Sequence, residues 1–252
     1  MIRIIAVCCF LIVLGSGAPG TVVAQTGLPF SGMWRVADLA AADGDYAMLG
    51  SDEGKLVHQV STGQMRRIYA VERAIARAAE LDSILVVVDG TMPNAFAAIG
   101  KRGQQVVGIN FAMLELIGLD MHMAAALIGH EVAHLKLEHG EQAEQREQQS
   151  SVLGTLGSAM LGGLGVPDGG LISGLTVSAM NTAYSREHER EADYLGAIWA
   201  IEAGFRPDGA VRLHETIHAR SRGQGSPFLS THPSGPERIE SLKAISLRLS
   251  RP

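Results

Sequence analysis

The stretch Ile128-Gly129-His130-Glu131-Val132-Ala133-His134 constrains this chain more than any other feature. It sets two histidines four residues apart inside a run, Ala124 to Glu138, that reads as one helix. Residues at that spacing stand one above the other on the same helical face. His130 and His134 can therefore offer two imidazole nitrogens to one metal ion. Glu131 lies about a hundred degrees round the helix, beside the coordination sphere, where a metal-bound water would sit. Lewis acid, bound water and general base together predict a zinc hydrolase carrying one Zn2+ per chain.

The pattern occurs twice. The second copy, His214-Glu215-Thr216-Ile217-His218, is flanked by Arg212 and Arg220, whereas the first follows an apolar lead-in, Met123 to Gly129. Cations close to a site oppose binding of a dication. The second copy therefore reads as an amphipathic helix, with Ala210, Leu213 and Ile217 inward and its histidines on the flank.

A catalytic zinc takes three protein ligands and keeps a fourth position open. Another zincin class would place a glycine and a third histidine at positions 137 and 140, but these are Leu137 and Gly140. A glutamate on a later helix remains, and Tyr184 to Asp193 supplies candidates. Glu189 and Asp193 share one helical face, so one could ligate while the other accepts the free N–H of a ligating histidine. Glu187 and Glu191 share a face equally well, and spacing alone does not choose between the pairs.

Five ordered motifs resemble the peptidase forty-eight family of zinc metalloproteases, with its HtpX-like, Oma-like and CAAX prenyl endopeptidase-like members. These are Asn94-Ala95-Phe96-Ala97, the first histidine box, its continuation to His139-Gly140, Glu189-Arg190-Glu191-Ala192-Asp193, and Ser230-Thr231-His232-Pro233 with Arg238-Ile239. The likeness spans roughly Tyr69 to Ile245. It implies His130, His134 and Glu189 as ligands, Glu131 as base and Asp193 as the outer hydrogen-bond partner of a ligand. It also implies an α+β fold, a mainly helical zincin-like domain with a small β-sheet bordering the cleft.

In such a site Glu131 would accept a proton from the attacking water and pass it to the leaving amine. His232 is the candidate to stabilise the developing oxyanion, with Arg238 assisting it or holding the His-Pro loop. His139, next to a glycine that can end a helix, reads as structural. Residues 84–88, 94–99 and 105–109 read as strands. An open edge carrying Asn94, Ala95, Phe96 and Ala97 could pair with an extended substrate.

Met1 to Ala24 reads as a signal peptide, with Arg3 at its start, a short apolar core and the small-residue end Val22-Val23-Ala24. Cys8 and Cys9 both lie inside it, so the remainder holds no disulfide. Residues 25–64 read as a lead-in segment and 65–252 as the metallopeptidase domain. A glycine-rich apolar stretch near 151–180 reads as a helical hairpin insertion, with peripheral membrane contact through 152–180. The net charge of −5 without a basic stripe argues against nucleic acid as a partner. These features predict an exported, periplasmic endopeptidase that acts on unfolded or misfolded envelope proteins. The competing expectation is a non-cleaving or gated chaperone-like binder, and oligomeric state is not legible.

Overall fold

A computed structural model of the chain describes residues 21–23, 33–50, 56–100, 102–143, 184–221, 227–233 and 235–250. The strands are β1 (Thr21–Val23), β2 (Met33–Arg35), β3 (Tyr46–Gly50), β4 (Leu56–Ser61), β5 (Ser83–Val88), β6 (Ala95–Ile99) and β7 (Gln105–Asn110). The helices are α1 (Val36–Ala41), α2 (Thr62–Ala78), α3 (Phe111–Ile117), α4 (Met121–Lys136), α5 (Arg186–Glu202), α6 (Asp208–Arg220), α7 (Pro227–Thr231) and α8 (Pro236–Leu249). The result is the expected α+β architecture, mainly helical with small sheets.

Alternation along the strands builds two layers. Leu85 and Val87 of β5, Val107 and Ile109 of β7, and Ala95 and Ala97 of β6 join the helical core. Val86, Val106, Phe96 and Ala98 form a second cluster with Met33 on the opposite face. Sheet order is β2-β5-β7-β6. β5 and β7 run parallel in register Ser83↔Gln105, while β6 pairs antiparallel with β7, Ala95 against Ile109. β6 therefore lies outside β7, at the edge. A tight connection makes β6 and β7 a hairpin: Gly103 takes φ +77° and donates its N–H to Gly100 O at 2.8 Å. Gly108 on β7 leaves the space that the Phe96 ring fills, since a Cβ there would meet that ring at 2.1 Å.

Residues 33–61, part of the segment that reads as a lead-in, are built into this framework. β2 pairs with β5, and β3 with β4. Met33, Leu39 and Leu49 are buried. Thr21–Val23, at the end of the stretch that reads as a leader, pairs in parallel with Ala47–Leu49. The rest of that stretch, and the glycine-rich residues 152–180, lie outside the described residues. Among the described residues no helix is long and apolar enough to cross a membrane.

α2 is amphipathic, with Met65, Ile68, Val71 and Ile75 buried on one face. α4 is apolar on nearly all sides and is enclosed by α2, α5, α6 and β6. It is the central helix of the domain, and the first histidine box rides on it.

Candidate metal centre

Local sequence fixes where each helix of the site begins. Asp120 caps α4 by accepting from the backbone N–H groups of His122 and Met123 at 3.0 and 3.1 Å. The same carboxylate takes two bonds from Arg212 on α6, at 2.9 and 3.1 Å, which ties α6 to the start of α4. Ser185 caps α5, accepting from His188 N at 3.2 Å. That start turns Glu189 and Asp193 inward, where both are buried, and leaves Glu187 and Glu191 exposed. Of the two pairs with equal spacing, the fold buries Glu189 and Asp193.

α4 and α5 cross at two glycines. A Cβ on Gly129 would lie 2.8 Å from Gly196 O, and one on Gly196 would lie 2.8 Å from His130 N. Bare backbones in contact bring the two helices close enough for their polar side chains to meet.

At that meeting stand His130, His134, Glu189 and His232, each buried, with one potential ligand atom apiece and all four atoms within 4.8 Å of one another. Glu189 Oε1 lies 3.3 Å from His134 Nε2, and Oε2 lies 3.6 Å from His130 Nε2. His232, just beyond α7, puts Nδ1 3.1 Å from Glu189 Oε1 and 3.2 Å from His130 Nε2. Its Nε2 stands 3.4 Å from Glu131 Oε1. The histidine expected beside the metal thus sits among the potential ligands themselves.

Around this group runs a charged shell. The Arg238 guanidinium grips Asp193 bidentately at 2.7 and 2.8 Å and also donates to Glu189 Oε2. Asp193 Oδ1 lies 3.1 Å from Nδ1 of His130. Arg238 is buried and faces inward onto these carboxylates. Tyr184 stacks on His134 at 3.7 Å between ring centroids and donates its backbone N–H to Thr231 O, joining the start of α5 to the His232 turn. Asn94 donates its N–H to Asn110 Oδ1 at 3.0 Å, just ahead of β6, which packs against α4.

The electrostatics follow from burial and these neighbours. Burial pushes the Glu131 carboxyl above the usual carboxylate range, against the opposing pull of His232 and His130. Burial also drives His134 well below the ordinary histidine value, which keeps its imidazole neutral. For Glu189 burial works against the charge, but His232 and His130 outweigh it and hold the carboxyl well below its ordinary value. Asp193 is lowered likewise: burial resists, and Arg238 prevails. His232 goes up, because Glu131 and Glu189 overcome its burial.

This donor set fits a divalent cation. One buried guanidinium, Arg238, and the His232 imidazole that Glu131 and Glu189 push toward its charged form face three buried carboxylates, Glu131, Glu189 and Asp193, so full ionisation still leaves negative charge in excess. Both Glu131 oxygens are buried without a hydrogen-bond partner among the described residues. A buried carboxylate left so is costly unless a charge or a polar reactant meets it. Two imidazoles and a carboxylate also match the ligand chemistry of catalytic zinc.

The second histidine box takes no part in this cluster. Leu213 and Ile217 point inward as expected, while Ala210 is only half-buried. His214 departs from the flank position expected of it: it is buried against Phe228, at 6.1 Å between ring centroids. Its place one residue past Leu213 on the inner face accounts for this. A small cavity lies beside it, lined by His130, Asp193, Ala197, Leu213 and Phe228 among others.

Sequence reading passed over Tyr184, His188 and the environment of His139. His139 follows His134 by five residues, off its face in an unbroken helix. Here α4 stops at Lys136, and Glu138 takes φ +55°, which folds His139 back under His134. No periodicity announces such a break.

Comparison with known proteins agrees with this geometry. A mitochondrial metalloendopeptidase OMA1 of Schizosaccharomyces pombe is 30% identical over 172 residues, 68% of this chain and 48% of that protein. A protease HtpX homolog of Pyrococcus abyssi is 23% identical over 235 residues, 75% of this chain and 77% of that protein. Metalloprotease LoiP of Escherichia coli is 24% identical over 118 residues, 47% of each chain. The chain spans 23% of the Arabidopsis thaliana OMA1 and 48% of the fission-yeast one. The model of Peptidase family M48 matches residues 61–246, which take in every residue of the centre, and the chain belongs to that family.

Proposed function

We propose that this chain is a zinc-dependent endopeptidase acting on unfolded or misfolded proteins of the cell envelope. The observation that carries the reading is the convergence of His130, His134 and Glu189 beside a buried Glu131 that lacks a hydrogen-bond partner among the described residues. Zinc held by those three side chains would supply Lewis acidity and an acidified water. Glu131, with its carboxyl raised by burial, is suited to take a proton at neutral pH and release it to the leaving amine. His232, whose imidazole Glu131 and Glu189 push toward the charged form against its burial, would face the developing oxyanion. Arg238 holds Asp193 and Glu189 in place. β6, an edge strand packed on α4, offers backbone from Ala95 to Ala97 for pairing with an extended chain. Backbone pairing gives weak sequence preference, which suits unfolded substrates. The leader-like residues 1–24 support export to the envelope.

The position of His232 favours a second reading, a gated form of the same enzyme. Its Nδ1 belongs to the cluster of potential ligands, so it could fill the fourth position until displaced.

One experiment addresses both. Purified protein with zinc should degrade casein, and Glu131→Gln should lose about 10²–10⁴-fold, the range for a general base. Equal turnover in the two proteins defeats the catalytic assignment. His232→Phe should lose activity if the imidazole serves the transition state and gain it if the imidazole occludes the metal.

A further inference from the structure

The two histidines of the box are supported unequally. Nδ1 of His130 meets a buried carboxylate directly, Asp193 Oδ1 at 3.1 Å. Nδ1 of His134 meets no carboxylate among the described residues. It lies 3.0 Å from Nδ1 of His139. The far nitrogen of His139, Nε2, lies 3.2 Å from Glu191 Oε2. His139 is itself buried, and His188 stacks on it with ring centroids 4.0 Å apart and planes 2° from parallel.

Chemistry dictates one assignment of protons along this row. The metal-facing nitrogen of His134 is Nε2, which must present a lone pair, so in the neutral ring the proton resides on Nδ1. That N–H needs an acceptor, and the atom opposite is Nδ1 of His139, which must then be bare. His139 accordingly carries its proton on Nε2 and donates it to Glu191. Glu191 thus acts on the ligand through an intervening imidazole, where Asp193 acts on His130 directly. Outer partners of this kind set tautomer, ring orientation and basicity of a metal ligand.

We infer that His139 is a positioning residue for the metal, fixing the tautomer and orientation of His134 through the row His134–His139–Glu191. The inference rests on the proposed ligand set and gives a task to a histidine whose sequence context suggested only a helix end.

The test uses full-length protein and zinc alone, with affinity read by competition against a chromophoric chelator. His139→Asn keeps an acceptor oxygen close to the place of Nδ1, whereas His139→Leu fills similar space without one. The leucine variant should bind zinc about 10–100-fold more weakly, the usual cost of losing an outer partner. The asparagine variant should stay within about threefold of wild type on the same scale. Thermal melting of the metal-free proteins provides the folding control, with both variants expected to melt alike. Wild-type affinity in His139→Leu, or equal losses in both variants, overturns the role of His139 while leaving the metal centre standing. Failure of the wild type to bind zinc, or unchanged binding in His134→Ala, overturns the ligand set and this inference with it.

Discussion

Arg238 is a cation placed where another cation is expected, and its partners explain why. It bonds both oxygens of Asp193 and one of Glu189, and all three residues are buried. A guanidinium can satisfy two carboxylates in a fixed fork, whereas a lysine ammonium is one point charge without that geometry. Arg238→Met would leave both carboxylates buried without their guanidinium, with only histidine nitrogens beside them. Breaking one side of a buried ion pair costs about 3–5 kcal/mol, so denaturant unfolding of metal-free protein at neutral pH should show a loss of that size. The acid dependence follows from the direction of the Asp193 shift. Its folded carboxyl is held below the ordinary value, so the stability it contributes is complete above about pH 4 and fades as pH falls further. The gap between wild type and Arg238→Met should therefore be flat above that pH and narrow below it. A gap under about 1 kcal/mol would mean that water reaches the pair as it does at a surface ion pair.

At the scale of helices, the site depends on how closely α4 and α5 approach. Gly129 and Gly196 meet backbone to backbone immediately before His130. Replacing Gly196 by alanine sets two effects against each other. Helix propensity favours alanine by about 1 kcal/mol. Against that, the new Cβ would lie 2.8 Å from backbone atoms of Gly129 and His130, which cannot swing aside. Overpacking of this kind costs about 1–3 kcal/mol, and because the clash is with backbone the upper part of that range should apply. Gly196→Ala is expected to lower the melting temperature and weaken zinc binding together, since α5 also carries Glu189 and Asp193. A raised melting temperature with unchanged zinc binding would show that the helices have room to part. The same contact explains what could be read in advance. His130, Glu131 and His134 are legible because all three lie on one helix with known geometry. Glu189–Asp193 and Glu187–Glu191 have identical spacing, so helix geometry does not tell them apart; the family resemblance favours the first pair, and the fold buries that pair and exposes the other. The strands of the main sheet are legible from their apolar runs, and the open edge expected at Asn94 to Ala97 falls on β6. The antiparallel pairing of β6 with β7 and the parallel pairing of β5 with β7 are not written in those runs.

For the whole molecule, the question is whether the metal holds the fold together or is held by it. The centre draws on α4, α5, and the stretch from α7 to α8, and residue 130 is joined to residue 238 only through tertiary contact. Such a site could act as a staple, as structural zinc does in small domains. The core argues otherwise. One continuous cluster runs from Trp34 to Phe228, with Leu39, Met65, Ile68, Leu127 and Ile128 almost wholly buried, and it needs no ligand to close. Much of its amino-terminal part was not legible, because β2, β3, α1 and β4 are too short for a periodic pattern to declare itself. A chain that buries this much should stay folded when zinc is stripped. Metal at about 100 times its dissociation constant stabilises by about 2.7 kcal/mol. For a domain of this size each kcal/mol moves the melting temperature by about 2–4 °C, so chelation should lower it by about 5–10 °C. The far-ultraviolet circular dichroism at room temperature should not change. Loss of that signal on adding chelator would make the ion a structural staple and overturn the view that a preformed scaffold presents it for catalysis.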